Sequence, residues 1–96
     1  MQMTSSKENK WLWLHTEDNV AVALADFAKD DRVLMDGTEL VLRQPVDFGH
    51  KFALRDIPQG QPIVKYAETI GIASQPITAG DHVHVHNVQS LRARRS

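Results

Sequence analysis

Residues 49–87 read GHKFALRDIPQGQPIVKYAETIGIASQPITAGDHVHVHN. The stretch carries four of the chain's five histidines, four of its five glycines and three of its four prolines. It also repeats itself. Ala53, Ile57, Gly60 and Ile63 recur as Ala73, Ile77, Gly80 and Val83, so both halves read A-x3-I-x2-G-x2-[IV]. A looser copy upstream has Ala23, Phe27, Asp30 and Val33. Aspartate stands there in place of glycine, and it is one of the few side chains that tolerates positive φ. Each copy sets an apolar residue, a turn and a β-former in the same order. This predicts a mainly β domain of short strands and tight turns, with at most one or two short helical turns. Residues 20–27 are the place for a helix if one exists.

Ninety-six residues suffice for one domain with a modest core. Eleven basic and twelve acidic residues leave a net charge of −1, so no global field recruits nucleic acid. No apolar run approaches the length of a membrane span. The first ten residues, MQMTSSKENK, lack the apolar core of a secretory signal and are expected to form a disordered tail, 1–10. Cysteine is absent, which excludes disulfides and thiolate metal sites and agrees with a cytoplasmic setting.

From residue 11 the run WLWLH suits a strand, and Trp11 and Trp13 would share one face of it. TEDN is a turn or cap signal, and VAVALA at 20–25 is acceptable as a buried strand. KDDR at 29–32 reads as a charged turn, and Asp36-Gly37 as a hairpin turn between residues 33–35 and 38–43. Short strands are expected at 51–54, 63–66 and 70–73. Residues 82–88 alternate polar and apolar, the clearest β signature in the chain. The domain is placed at 11–88, with a basic tail at 89–96 containing Arg92, Arg94 and Arg95.

His82, His84 and His86 would lie on one face of such a strand. Their Cα atoms would then span roughly 13 Å, too far for three ligands about 2.1 Å from one ion. Two adjacent ones could ligate with help from His15 or His50, but no metal site is expected within this chain. Gly49-His50-Lys51 joins a titratable base to a fixed cation, a pair suited to a carboxylate and to moving a proton. His15 ends the aromatic run, where it caps the turn or faces a ligand. Lys65 and Tyr66 would face opposite sides of a strand and could not act on one ligand. No phosphate loop, dinucleotide fingerprint, HExxH or GxSxG motif is present, so no catalytic residue is assigned. The residues alone describe a small β domain with a histidine-rich face that works with a partner.

Four blocks carry a resemblance: LHTEDNVAVALADF (14–27), LRQPVDFGHKFALRDI (42–57), VKYAETIGIA (64–73) and ITAGDHVHVHN (77–87). Together they resemble the N-terminal SAF domain of the altronate and galactarate dehydratase family, with the small subunit of sulfolactate sulfo-lyase a more distant relative. The resemblance covers about residues 12–87 and implies the β-clip fold. It further implies a sugar-acid hydro-lyase of hexuronate catabolism, in which this segment helps bind a substrate such as altronate. A large partner domain or subunit would carry a divalent metal, iron(II), and most of the chemistry. On that reading this chain needs no cofactor of its own and does not act alone. His15, His50, Lys51, His84 and His86 are the expected substrate-binding residues. Self-association is compatible with it. The rival reading is a non-catalytic binding or assembly module for a carbohydrate-acid enzyme. Two departures from the family pattern stand out: Ala67 where glycine usually follows Lys-Tyr, and Asp30 where glycine is frequent.

Overall fold

The computed structural model describes residues 10–13, 15–35 and 37–90. Nine short strands and no helix occur among them: β1 (Trp11–Leu12), β2 (Val20–Ala23), β3 (Arg32–Met35), β4 (Thr38–Val41), β5 (Lys51–Ala53), β6 (Pro62–Lys65), β7 (Glu68–Ala73), β8 (His82–Val83) and β9 (Val88–Ser90). They form antiparallel sheets in the orders β1-β2-β5-β8, β3-β4 and β6-β7-β9. Residues 20–27 hold a strand, not a helix, because β2 is paired on both sides, with Leu12 opposite Val22 and Val20 opposite Ala53. β9 carries the sheet to Ser90, two residues past the expected end of the domain at 88. Most of the expected tails lies outside the described residues.

The repeat organises all of this, and it has four copies. Leu42, Val46, Gly49 and Phe52 form the one that sequence reading passes over, because Leu and Phe replace the smaller residues of the pattern. All four first, second and last positions are buried: Ala23, Leu42, Ala53, Ala73; Phe27, Val46, Ile57, Ile77; Val33, Phe52, Ile63, Val83. The third position takes positive φ every time, at 74° for Asp30, 85° for Gly49 and 90° for both Gly60 and Gly80. The reversal there turns each corner back toward its strand.

The copies clasp in pairs. Phe27 and Val46 exchange backbone hydrogen bonds of 2.8 and 3.0 Å, and Ile57 and Ile77 exchange bonds of 2.8 and 2.9 Å. Around the first clasp, Gly49 N–H donates to Ala23 O and Ala23 N–H to His50 O, both at 2.8 Å. Around the second, Gly80 N–H donates to Ala53 O at 2.8 Å and Ala53 N–H to Asp81 O at 2.9 Å. Asp26 accepts from Phe48 N–H as Asp56 does from Ala79 N–H. The chain is thus an internal duplication, and each half wraps its own core. Phe27, Val33, Leu42, Val46 and Phe52 lie in one cluster, flanked by Trp11 and Trp13. Ile57, Ile63, Ala73, Ile77 and Val83 lie in the other. The second half is one residue longer, and a bulge between Ile63 and Val64 in the β6–β7 pairing absorbs it.

Gly60 and Gly80 separate two roles of glycine. A Cβ at Gly60 would meet nothing, whereas one at Gly80 would run into the Val41 carbonyl oxygen. Gly60→Ala is expected to cost about 1–2 kcal/mol from backbone strain alone. Gly80→Ala should cost at least ~1–3 kcal/mol more, because β4 must move away. Urea denaturation of the two variants checks the order, and equal losses would contradict the close approach.

Candidate functional site

Lys51 stands opposite Val83 in the β5–β8 pairing, so the next pair outward brings His50 beside His84. Gly49 makes the turn just before His50, whose N–H donates to Asp47 O at 2.9 Å while its carbonyl accepts from Ala23. On the other strand, Gln44 reaches across from the first half: its Oε1 accepts from His82 N–H at 2.7 Å and its Nε2 donates to Asp81 Oδ1 at 3.0 Å. Arg43 Nε adds an ion pair to the same Asp81 oxygen at 3.1 Å. Backbone and side chains from both duplicated halves therefore fix His50 and His82 together.

The expected strand over 82–88 ends at Val83, which is the main correction to the sequence reading. Asn87, 3% exposed, causes it. Its Oδ1 accepts from His84 N–H and its Nδ2 donates to His82 O, each at 2.9 Å, and its own N–H donates to His84 O at 3.1 Å. These groups would otherwise bond a neighbouring strand; Asn87 satisfies them locally and folds 84–87 into a turn. The three histidines are consequently not strung over roughly 13 Å, and that objection to a shared site falls.

Instead the rings gather. His50 Nδ1 and His82 Nε2 are 2.9 Å apart, with the rings only 8° from parallel, so one nitrogen donates a proton to the other. His84 stacks on His50 at 4.1 Å between centroids. His86 tilts against His82 at 5.3 Å. Burial, then the charges of His50, His86 and His84, lower the basicity of His82, against which Asp47 acts. Burial, followed by His50, Lys51 and His86, does the same to His84. Lys51 is also pushed below the ordinary lysine value, by burial first and by the Lys65 charge second. With Ile70, His84, Val85, Val88 and Ser90 it lines an open groove of about 240 Å³. The groove is smaller than the roughly 300–1,000 Å³ that small-molecule sites commonly enclose.

His15 is placed elsewhere. Its carbonyl accepts from Asp18 N–H at 3.1 Å, in the loop leading to β2. The buried Asp18 braces the β6–β7 turn by accepting from Ala67 N–H at 2.7 Å. Burial opposes its charge, yet the backbone N–H groups of Ala67, Tyr66 and His15 and the His15 charge keep its carboxyl below the usual value. Asn19 holds the same hairpin through Val64 N–H at 2.7 Å and Pro62 O at 2.9 Å. Tyr66 and Ala67 occupy the turn with φ of 54° and 65°. Tyr66 is thus not a strand residue facing away from Lys65; its ring lies under Lys65 Nζ, 4.9 Å from the centroid. Gln44, Asn87 and Asp18 are the positioning residues that sequence reading did not assign. Asp18 lies in the TEDN turn signal, and Asn87, closing an alternating run, is a turn-former; Gln44 carries no local signal.

Three measurements test this geometry. Ala67→Gly should stabilise the fold by about 1 kcal/mol, by relieving positive φ at a side chain; an unchanged urea midpoint would contradict the strain. Asn87→Ala should cost about 1–3 kcal/mol and disperse the His84 ring signals in NMR, because buried backbone groups lose their partner. For pH, His82 and His84 bind protons less readily folded than unfolded. Their contribution is therefore complete above about pH 6.5 and is lost as pH falls below it. The wild-type urea midpoint should drop from pH 7.5 to 5.5, and a His82→Asn, His84→Asn double variant should show a smaller drop.

Residues 9–91 match the altronate/galactarate dehydratase SAF domain family. Altronate dehydratase of Escherichia coli (strain K12) is 48% identical over 81 residues, which cover 84% of this chain and 16% of that protein. The altronate dehydratase of Bacillus subtilis (strain 168) is 42% identical over 77 residues, again 16% of its length. The (2R)-sulfolactate sulfo-lyase subunit alpha of Paracoccus pantotrophus is 36% identical over 53 residues, 55% of this chain and 79% of that subunit. The chain matches about one-sixth of each dehydratase and most of the small sulfo-lyase subunit. With its match running through both duplicated halves, the chain belongs to the altronate/galactarate dehydratase SAF domain family.

Proposed function

We propose that this chain is the SAF component of a cytoplasmic sugar-acid hydro-lyase of the altronate dehydratase kind, completing a substrate site on a larger partner. One observation carries the reading: Lys51 is half-buried, pressed by the Lys65 charge, and set beside the His84 imidazole at the edge of an open groove. An anion there relieves repulsion that the free chain must bear, which is what a sugar-acid carboxylate offers. His50, His84 and His86 donate or accept hydrogen bonds around it. His15, in the loop that braces the β6–β7 turn, would serve at a second contact rather than in this cluster.

The reaction removes the proton α to the carboxylate and expels the β-hydroxyl as water. Stabilisation of the enediolate and of the leaving hydroxide by a divalent metal, iron(II) in this reading, belongs to the larger partner. Lys51 fixes the carboxylate's position, and the stacked imidazoles keep water from the acidic C–H when the groove closes against the partner. A relative named as the alpha subunit of a sulfo-lyase supports a separate SAF chain.

The test is reconstitution. Altronate dehydration is assayed with this chain, with a large altronate dehydratase chain shortened by its SAF segment, and with both together. Activity should require both, and Lys51→Met should raise KM roughly 10–100-fold, the worth of one charge-assisted contact of about 1.5–3 kcal/mol. Full activity of the shortened large chain alone would sink the proposal. Restored activity with an unchanged KM for Lys51→Met would make the chain an assembly module.

A further inference from the structure

We infer that His50, His82 and His84 form a binding site for a late first-row divalent cation such as zinc. This inference rests on the geometry of the cluster and not on the substrate role proposed above. Among the described residues, these three are the group of potential ligands whose donor atoms converge, all within 4.8 Å of one another. Their Cα atoms come from two paired strand ends and a turn, so the three are not strung along one strand. A single extended strand could not arrange this.

His50 Nδ1 and His82 Nε2 already face each other at 2.9 Å. Two nitrogens about 2.1 Å from one tetrahedral ion stand roughly 3.4 Å apart. Ligation therefore opens the pair by about half an ångström, turns the two rings so that both lone pairs meet at the ion, and moves the bridging proton to the other nitrogen of its own ring. His84 stacks at 9° to His50 and so must turn its ring out of the stack to ligate. Its place in a solvent-facing turn, beside the exposed Val85, leaves room for that rotation. The neutral forms that ligation requires are those that burial already favours at His82 and His84. His86, whose ring lies 5.3 Å from that of His82, or a water molecule would fill the fourth position. Donors that are all imidazole nitrogen suit zinc, nickel or copper, and not magnesium or calcium, which take oxygen. Gln44 and Asn87, bonded to the backbone of His82 and His84, act as the outer support that such sites need.

The experiment titrates the full, tag-free chain with zinc chloride at pH 7.5, read by calorimetry and by NMR of the imidazole nitrogens. The expected result is one ion per chain with Kd on the order of micromolar or tighter. Shifts should fall on His50, His82 and His84, and His15 should stay still. His82→Gln and His84→Gln, checked for folding by circular dichroism, should each weaken binding at least roughly tenfold. His15→Gln should not, and magnesium should produce no shifts. Absence of saturable zinc binding below about 100 μM, or binding that survives both variants, would overturn the inference. Neither result bears on reconstituted dehydration, which is measured with the partner and without added zinc.

Discussion

The reciprocal backbone hydrogen bonds between Phe27 and Val46, and between Ile57 and Ile77, are the constraint on which the rest of the domain depends. Each is a two-residue bridge, too short to be a strand, yet it locks two corners back to back. A corner needs an apolar residue to bury, a position at positive φ and a strand to enter. The chain supplies that set four times. With strands of two to six residues, no single ladder would hold the fold. Stability comes from pairing the corners so that each half encloses its own cluster of side chains.

The site inherits its geometry from the same arrangement. His50 follows the positive-φ residue of the second corner, and His82 follows that of the fourth by two. Pairing β5 with β8 joins the two halves and brings these corner exits side by side. Gln44, from the second corner, then bonds across to the fourth. The surface proposed to bear function thus sits on the seam of the duplication, where the halves are no longer equivalent. The seam gathers positive charge and imidazoles, with Asp47 and Asp81 as its acidic counterweights. The Tyr66–Ala67 turn, with both side chains at positive φ, is held by Asp18 and Asn19 from the loop before β2. Strain kept in place by several directed hydrogen bonds is a mark of functional loops, and here it holds the Lys65 ammonium over the Tyr66 ring.

What could be read in advance followed from local chemistry. Alternation and turn residues located most strands to within two or three positions, and three of the four corners were visible in the A-x3-I-x2-G-x2-[IV] spacing. The fourth escaped because pattern matching weighs residue identity. A packed core weighs volume, and Leu42 and Phe52 fill the same inward positions as alanine and valine elsewhere. His50, Lys51, His84 and His86 were singled out as functional candidates and do lie together. Their arrangement does not follow from the sequence, since HVHVHN alternates as a strand does.

The sequence by itself determined the β class, the tight corners and the family, because these depend on side-chain size, on which residues accept positive φ, and on the order of motifs. Only the tertiary structure decided that the corners pair in two halves, that Lys65 and Tyr66 meet, and that three imidazoles converge. Those outcomes rest on hydrogen bonds between residues far apart in the chain: Gln44 with His82, Asp18 with Ala67, and the clasped corners. Asn87 shows the limit most plainly. Its amide satisfies both sides of a turn that alternation assigns to a strand, and whether an asparagine does so depends on burial, which no local pattern states.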